Sequence, residues 1–280
     1  MPAIDLAAVR RGSGAPLLLL HGFTTHSAAW SIAVNTLAPH ADTICVDLPG
    51  HGRSSAPPAG YTFATCLNDL IALLDGLDLA TCNVLGYSMG GRVALALAVS
   101  HPDRVGHLIL ESASPGIADD ARRAARVNDD RRLATEIESA PLAPFIDRWM
   151  NLPIFRSTAQ PNPARRARSR RLRLENRPRA IAAALRALGT GSQDSYWDAL
   201  AELDVPVLLI TGEVDEKFQR INDDMHARLP RSTRRVIAGA GHTTHLDQPE
   251  AFVEQVKAFL LEPEPRERSA TDDETRTEER

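Results

Sequence analysis

The chain is 280 residues long, 43% apolar and 24% charged, with a formal net charge of −4. That composition excludes a fibrous or disordered chain and leaves one large α/β domain or two small ones. No apolar run approaches the roughly 18 residues of a membrane span, and the start MPAIDLAAVRRGSG lacks the basic-then-apolar order of a secretory signal, so a cytoplasmic protein without membrane insertion is expected.

In chain order, short apolar runs alternate with turn residues and helical patterns, the rhythm of a mostly parallel α/β sheet with helices on both faces. Residues 17–20 run into His21-Gly22, residues 43–47 into Leu48-Pro49-Gly50, and residues 82–85 into Gly86. Strands buried on both faces carry continuous apolar runs of this kind. Further strands are expected over 108–110, 205–211 and 234–237, and helices over 63–77, 88–100 and 249–261. In the last helix Phe252, Val256 and Phe259 share one stripe.

Between 116 and 199 the rhythm gives way to an Arg-rich, Pro-punctuated helical stretch without a convincing strand. This predicts an all-helical cap (116–199) inserted into one discontinuous core of residues 1–115 and 200–262. Residues 263–280 hold almost no apolar side chains and are expected to be a disordered acidic tail.

Charge is unevenly spread. Residues 116–190 hold sixteen arginines against eight Asp and Glu, a local balance of +8, while the rest of the chain stands at −12. A compositional preference for Arg accounts for Lys217 and Lys257 being the only lysines. It does not account for half the arginines crowding into about a quarter of the chain.

Gly86-Tyr87-Ser88-Met89-Gly90 matches G-x-S-x-G, with an apolar strand running in and a helical pattern running out. A tight strand-to-helix turn holds such a serine with its hydroxyl exposed, and the flanking glycines avoid backbone collisions. A serine needs an imidazole to take its proton and a carboxylate to orient that imidazole. Asp215, after the strand at 205–211, and His242, after the strand ending near 237, follow in the order Ser, Asp, His that this layout requires. The amides of Phe23 and Met89 would then form a two-donor oxyanion hole.

Other chemistries are excluded on motif grounds. His242-Thr243-Thr244-His245 lacks a third ligand pattern, so no metal is expected. Gly12-Ser13-Gly14 lacks the rest of a dinucleotide loop, and no cofactor or nucleic acid is expected. The odd set Cys45, Cys66 and Cys82 makes no C-x-x-C and no disulfide framework. Oligomeric state is left open.

From about residue 16 to 261 the chain resembles α/β-hydrolase-fold proteins, through His21-Gly22-Phe23, Asp47-Leu48-Pro49-Gly50-His51-Gly52-Arg53-Ser54, the serine elbow and Ala240-Gly241-His242. Gly86 to Arg92, Ser114-Pro115-Gly116, the 149–155 and 188–193 segments and Gly212 to Phe218 resemble, more narrowly, the MenH family, the 2-succinyl-6-hydroxy-2,4-cyclohexadiene-1-carboxylate synthases. That resemblance implies a lyase of menaquinone biosynthesis acting on a small tricarboxylate. It implies Ser88, Asp215 and His242 as catalytic residues and Phe23 and Met89 as the oxyanion hole. Arg92, Arg126 and Arg173 resemble the family's carboxylate binders, with Tyr87 and Trp149 lining the site; most of the 165–173 arginine run reads as a solvated helix face. A serine hydrolase, acting on esters or carbon–carbon bonds, shares every triad feature, and a ligand-sensing module would keep the fold without turnover.

Overall fold

The computed structural model describes residues 4–157 and 162–261; the expected tail lies outside the described residues. In chain order the first half runs β1 (Ala8–Arg11), β2 (Ala15–Leu20), α1 (Ser31–Leu37), β3 (Ala41–Val46), α2 (Phe63–Gly76), β4 (Cys82–Tyr87), α3 (Met89–Ser100) and β5 (Val105–Glu111). Four helices follow: α4 (Asp120–Ser139), α5 (Leu142–Trp149), α6 (Pro163–Leu174) and α7 (Pro178–Leu188). The chain then returns through β6 (Val207–Gly212), α8 (Glu216–His226), β7 (Ser232–Ile237), α9 (Thr244–Asp247) and α10 (Pro249–Leu261).

The seven described strands form one sheet in the order β1-β3-β2-β4-β5-β6-β7, parallel throughout except that β1 runs antiparallel to β3. The six expected strands are present, and β1 is added. Its sequence AVRR is short and polar because it lies at the edge, where one side of the strand meets solvent. The chain leaves β2 toward β3 on one side and returns to β4 on the other, so β2 and β4 flank the point where the winding reverses. Ligand sites in open α/β sheets lie at the carboxyl ends of strands at such a point.

Burial alternates along each strand. Leu18, Leu20, Val84, Leu108 and Leu209 pack against α2 and α3 on one face. Leu17, Leu19, Leu85, Ile109 and Ile210 pack against α1 and α10 on the other, where Phe252, Val256 and Phe259 are all buried. Each such side chain contributes about 1.5–3 kcal/mol when fully buried, so a strand made of four consecutive leucines is stable only between two helical layers. The three cysteines are buried and unpaired.

Two of the four helices described between β5 and β6 start at polar caps: Asp119 accepts from the Arg122 amide at 2.7 Å and Asn162 from the Arg165 amide at 3.0 Å. They have a small apolar core of their own, including Ala134, Ile137, Phe145, Ile146, Ile181 and Leu185. Their exposed faces are paired: Arg170 forms two bonds to Asp147, and Arg186 two to Glu138. Much of the local positive charge is thus spent on the surface of the cap.

Candidate active site

Ser88 sits between β4 and α3 with φ +51° and ψ −107°, a left-handed backbone that side-chain-bearing residues rarely adopt. The neighbouring glycines make this turn possible. A Cβ on Gly90 would lie 2.1 Å from the Leu20 carbonyl oxygen, and one on Gly86 would lie 2.4 Å from that of Gly90. Because β2 pairs with β4 in register, with Leu20 beside Gly86, the loops after both strands meet at one end of the sheet. Phe23 reaches Ser88 by this pairing, from 65 positions earlier in the chain.

The two later strands deliver the remaining partners. His242 Nε2 lies 3.1 Å from Ser88 Oγ, and His242 Nδ1 lies 2.7 Å from Asp215 Oδ2. A carboxylate only accepts, so Nδ1 carries the proton toward Asp215 and Nε2 is left to accept from the serine hydroxyl. His242 is 2% and Asp215 6% exposed, which keeps the pair away from competing water. Phe218 covers the imidazole, with ring centres 4.6 Å apart.

Ser88 and His242 open into a cavity of roughly 850 Å³ between the sheet and the cap. Phe23, Met89 and Trp149 line it. Met89 begins α3, whose first amides have no partner within the helix and are available to an anion. Trp149 stacks on Phe145 with ring centres 5.8 Å apart and meets Phe23 edge-on at 5.5 Å, and its buried indole N–H has no partner among the described residues.

Arg92, Arg122, Arg126 and Lys217 bring positive charge to the wall, against Asp119 and Asp129. Arg92 is 8% exposed and donates to the carbonyls of Leu188 and Gly189 and to Gln193 Oε1. No carboxylate pairs with it among the described residues. Burial, with the nearby Arg126 charge, lowers its pKa to about 10, so it stays charged at neutral pH. Arg126 is held by Asp130 at 2.7 Å, and Asp130 also accepts from the Gly191 amide. Arg122 and Asp130 have no motif to announce them, and Lys217 lies in the Gly212 to Phe218 motif without its cavity position being given by it; each follows from how α4 and α8 lie over the sheet.

Two expected lining residues stand elsewhere. Tyr87 is not on the cavity wall: as the last residue of β4 it points to the α1 and α10 face, where its hydroxyl bonds Thr243 Oγ1 at 2.8 Å and its ring backs His242 at 5.5 Å. Strand alternation dictates this, since Tyr87 follows Leu85 on the same face. Arg173 is 4% exposed and lines a smaller cavity of roughly 220 Å³ beside Thr243, next to the larger one across Phe155, which lines both. It donates to the Phe23 carbonyl at 3.2 Å and to Thr24 Oγ1. Burial lowers its pKa to about 10.

Behind this surface lie buried groups whose roles no motif assigns. Glu111, fully buried at the end of β5, accepts from the Thr244 hydroxyl at 2.7 Å and from the His245 amide at 3.0 Å, and its Oε2 pairs with His245 Nδ1 at 2.7 Å. These bonds pin the segment directly after His242. His21 and His51 lie under the loops around Phe23, and burial lowers their pKa values to about 4 and about 3.

The α/β-hydrolase-fold family model matches residues 15–249. A provisionally named 2-succinyl-6-hydroxy-2,4-cyclohexadiene-1-carboxylate synthase of Bacillus subtilis (strain 168) is 40% identical over 246 residues, covering 87% of this chain and 89% of its own. The 2-succinyl-6-hydroxy-2,4-cyclohexadiene-1-carboxylate synthase of Serratia proteamaculans (strain 568) is 32% identical over 88% of this chain and 93% of its own. Among solved structures, MenH from S. aureus superposes with a TM-score of 0.86 at 32% identity, covering 91% of this chain and 97% of that one. A malate-bound thermophilic esterase from Thermogutta terrifontis reaches 0.81 at 29% identity, over 92% and 93%. With its sheet, its elbow serine and these relatives, the chain belongs to the α/β-hydrolase-fold family and, within it, to the family of 2-succinyl-6-hydroxy-2,4-cyclohexadiene-1-carboxylate synthases.

Proposed function

We propose that the protein is a carbon–oxygen lyase of menaquinone biosynthesis that eliminates pyruvate from 2-succinyl-5-enolpyruvyl-6-hydroxy-3-cyclohexene-1-carboxylate, giving 2-succinyl-6-hydroxy-2,4-cyclohexadiene-1-carboxylate. The observation that carries this reading is Arg92, a buried guanidinium without a carboxylate partner, on the wall of the same cavity as Ser88. A substrate with three carboxylates suits such a wall, because a guanidinium fork binds a carboxylate through two parallel bonds. Arg126 and Lys217 add charge at the same wall, and the Trp149 indole N–H is a donor for a substrate oxygen.

In the reaction, His242 takes the Ser88 proton, and the serine oxygen removes the ring proton next to the succinyl ketone. The electrons move onto the ketone oxygen, where the Phe23 and Met89 amides stabilise the dienolate. The dienolate then expels the enolpyruvyl group: the bond between the ring carbon and the ether oxygen breaks, and the departing enolate takes a proton from His242 to become pyruvate. Asp215 stabilises the imidazolium in between, and no acyl-enzyme forms. Neither a metal nor an organic cofactor enters this scheme, nucleic acid is no part of it, and its place is the cytoplasm.

Incubation with the enolpyruvyl substrate, following pyruvate through lactate dehydrogenase and NADH, tests the reading. Release well above a Ser88→Ala background is expected; release at background would end it. The likeness to the Thermogutta esterase favours a second reading, a serine hydrolase, since the same triad attacks esters. Rapid turnover of uncharged aryl esters with an acyl group trapped on Ser88 would favour that one.

A further inference from the structure

The turn after β2 contains an oddity that the reaction itself does not explain. Thr25 donates its amide to the Gly22 carbonyl at 3.2 Å, closing a turn in which Thr24 is the third residue, with φ +69°. Turns with positive φ at that position take Gly or Asn, and a β-branched residue there is strained. Left alone, Thr24 would relax to negative φ and loosen the turn that carries Phe23.

Every polar atom of Thr24 is instead held, each by a different group. Its amide donates to His51 Nε2 at 3.3 Å, and His51 is kept in the accepting tautomer because its Nδ1–H donates to the Pro49 carbonyl at 3.0 Å. Its hydroxyl and the Phe23 carbonyl both accept from Arg173 Nη1. Its carbonyl accepts from Asn176 Nδ2 at 2.7 Å, while Asn176 Oδ1 accepts from the Gly52 amide at 2.8 Å. Thr24, His51, Arg173 and Asn176 are all buried, at 0%, 0%, 4% and 4% exposure. Arg173 and Asn176 belong to the cap, about 150 residues away along the chain.

We infer that Arg173, Asn176 and His51 are positioning residues that hold Thr24 in its left-handed conformation and thereby fix the turn that carries the Phe23 amide beside Ser88. The inference rests on the reading of Phe23 as an oxyanion donor. It gives Arg173 a role through the backbone of the oxyanion turn, in keeping with its place outside the main cavity. It also makes catalysis depend on the cap being seated: a cap lifted from the sheet releases two of the three clamps, and the oxyanion hole opens with it.

The test pairs Asn176→Ala with the double variant Thr24→Gly/Asn176→Ala. Glycine adopts positive φ at no steric cost, so it removes the strain that the clamp opposes. Asn176→Ala is expected to lower kcat at least tenfold with KM within about threefold of wild type, and to slow fluorophosphonate labelling of Ser88 by a similar factor. The double variant is expected to regain at least threefold in both. A double variant as slow as the single one overturns the inference, as does a single variant that keeps its kcat. Should Asn176→Ala fail to fold, Asn176→Asp keeps the acceptor for Gly52 and removes only the donor to Thr24, and the same pairing applies. A wild type that labels but releases no pyruvate sinks the lyase reading, and the labelling rates then decide this one alone. A wild type inert in both assays removes the oxyanion role of Phe23 and the clamp with it.

Discussion

Arg92, one turn past Ser88 on α3, donates through Nη2 to the Leu188 carbonyl at the end of α7 over 2.9 Å. The contact joins the elbow helix to the cap through a carbonyl rather than a carboxylate. Leu188 ends its helix, where unsatisfied carbonyls carry partial negative charge, enough to orient a guanidinium but not to neutralise it. The charge therefore remains available to a ligand.

Arg92→Ala is expected to lower kcat/KM for the tricarboxylate by about 1.5–3 kcal/mol, roughly 10- to 150-fold, the range for a hydrogen bond to a charged group. Arg92→Lys should recover only part, since an ammonium cannot present a planar fork. Steady-state pyruvate release measures both, and an unchanged specificity constant in Arg92→Ala would remove this residue from substrate binding.

The triad should behave as one unit. Asp215→Asn, which leaves the His242 proton on the wrong nitrogen, is expected to cost about 10²–10⁴ in kcat, the usual range for general base catalysis. The double variant Ser88→Ala/His242→Ala should be no slower than the slower single one, because each alone already disables proton transfer. Additive losses in single-turnover kinetics would mean that the two residues act separately.

Acid should weaken the fold before it protonates most carboxylates. His21 and His51 are neutral when buried, with pKa values lowered to about 4 and about 3, whereas unfolded histidine titrates near 6.5. Below that value the unfolded chain binds protons that the folded chain refuses, so stability rises with pH across this window and is lost as pH falls. Between pH 6.5 and 5 the two residues together account for about 3 kcal/mol at about 1.4 kcal/mol per unit. Thermal unfolding followed across this range should show a falling midpoint; a flat profile would contradict the buried neutral state.

Glu111→Ala is expected to destabilise the protein by about 3–5 kcal/mol, because it strands a buried imidazole and two donors without their shared acceptor. At the size of this chain that corresponds to a drop of about 5–9 °C in Tm. Calorimetry on the purified variant checks it, and a Tm within 2 °C of wild type would show that water replaces the carboxylate at little cost.

The chemistry was legible wherever it depends on local backbone. The Gly-x-Ser-x-Gly turn must open a helix after a strand, the apolar runs must be strands covered on both sides, and Asp215 and His242 must follow the next strands in that order. Each statement involves a handful of neighbouring residues, and turn geometry and strand alternation are short-range physics. Alternation also carries Tyr87 to the rear face, a consequence written in the chain but hidden behind the motif that contains it.

Within the Arg-rich run, folding decided which charges turn toward the sheet. The 165–173 run offers six similar arginines, and nothing in their order separates Arg173, buried against Phe23, from Arg170, paired with Asp147 on the surface. That choice depends on the angle at which α6 rests on loops some 150 residues distant, as does the reach of Asn176 to Thr24, while the reach of Glu111 to His245 depends on how α9 packs against the end of β5. Burial and long-range hydrogen bonding arise only when distant elements pack together, and for that reason the triad could be named from residue order while its supporting groups required the assembled fold.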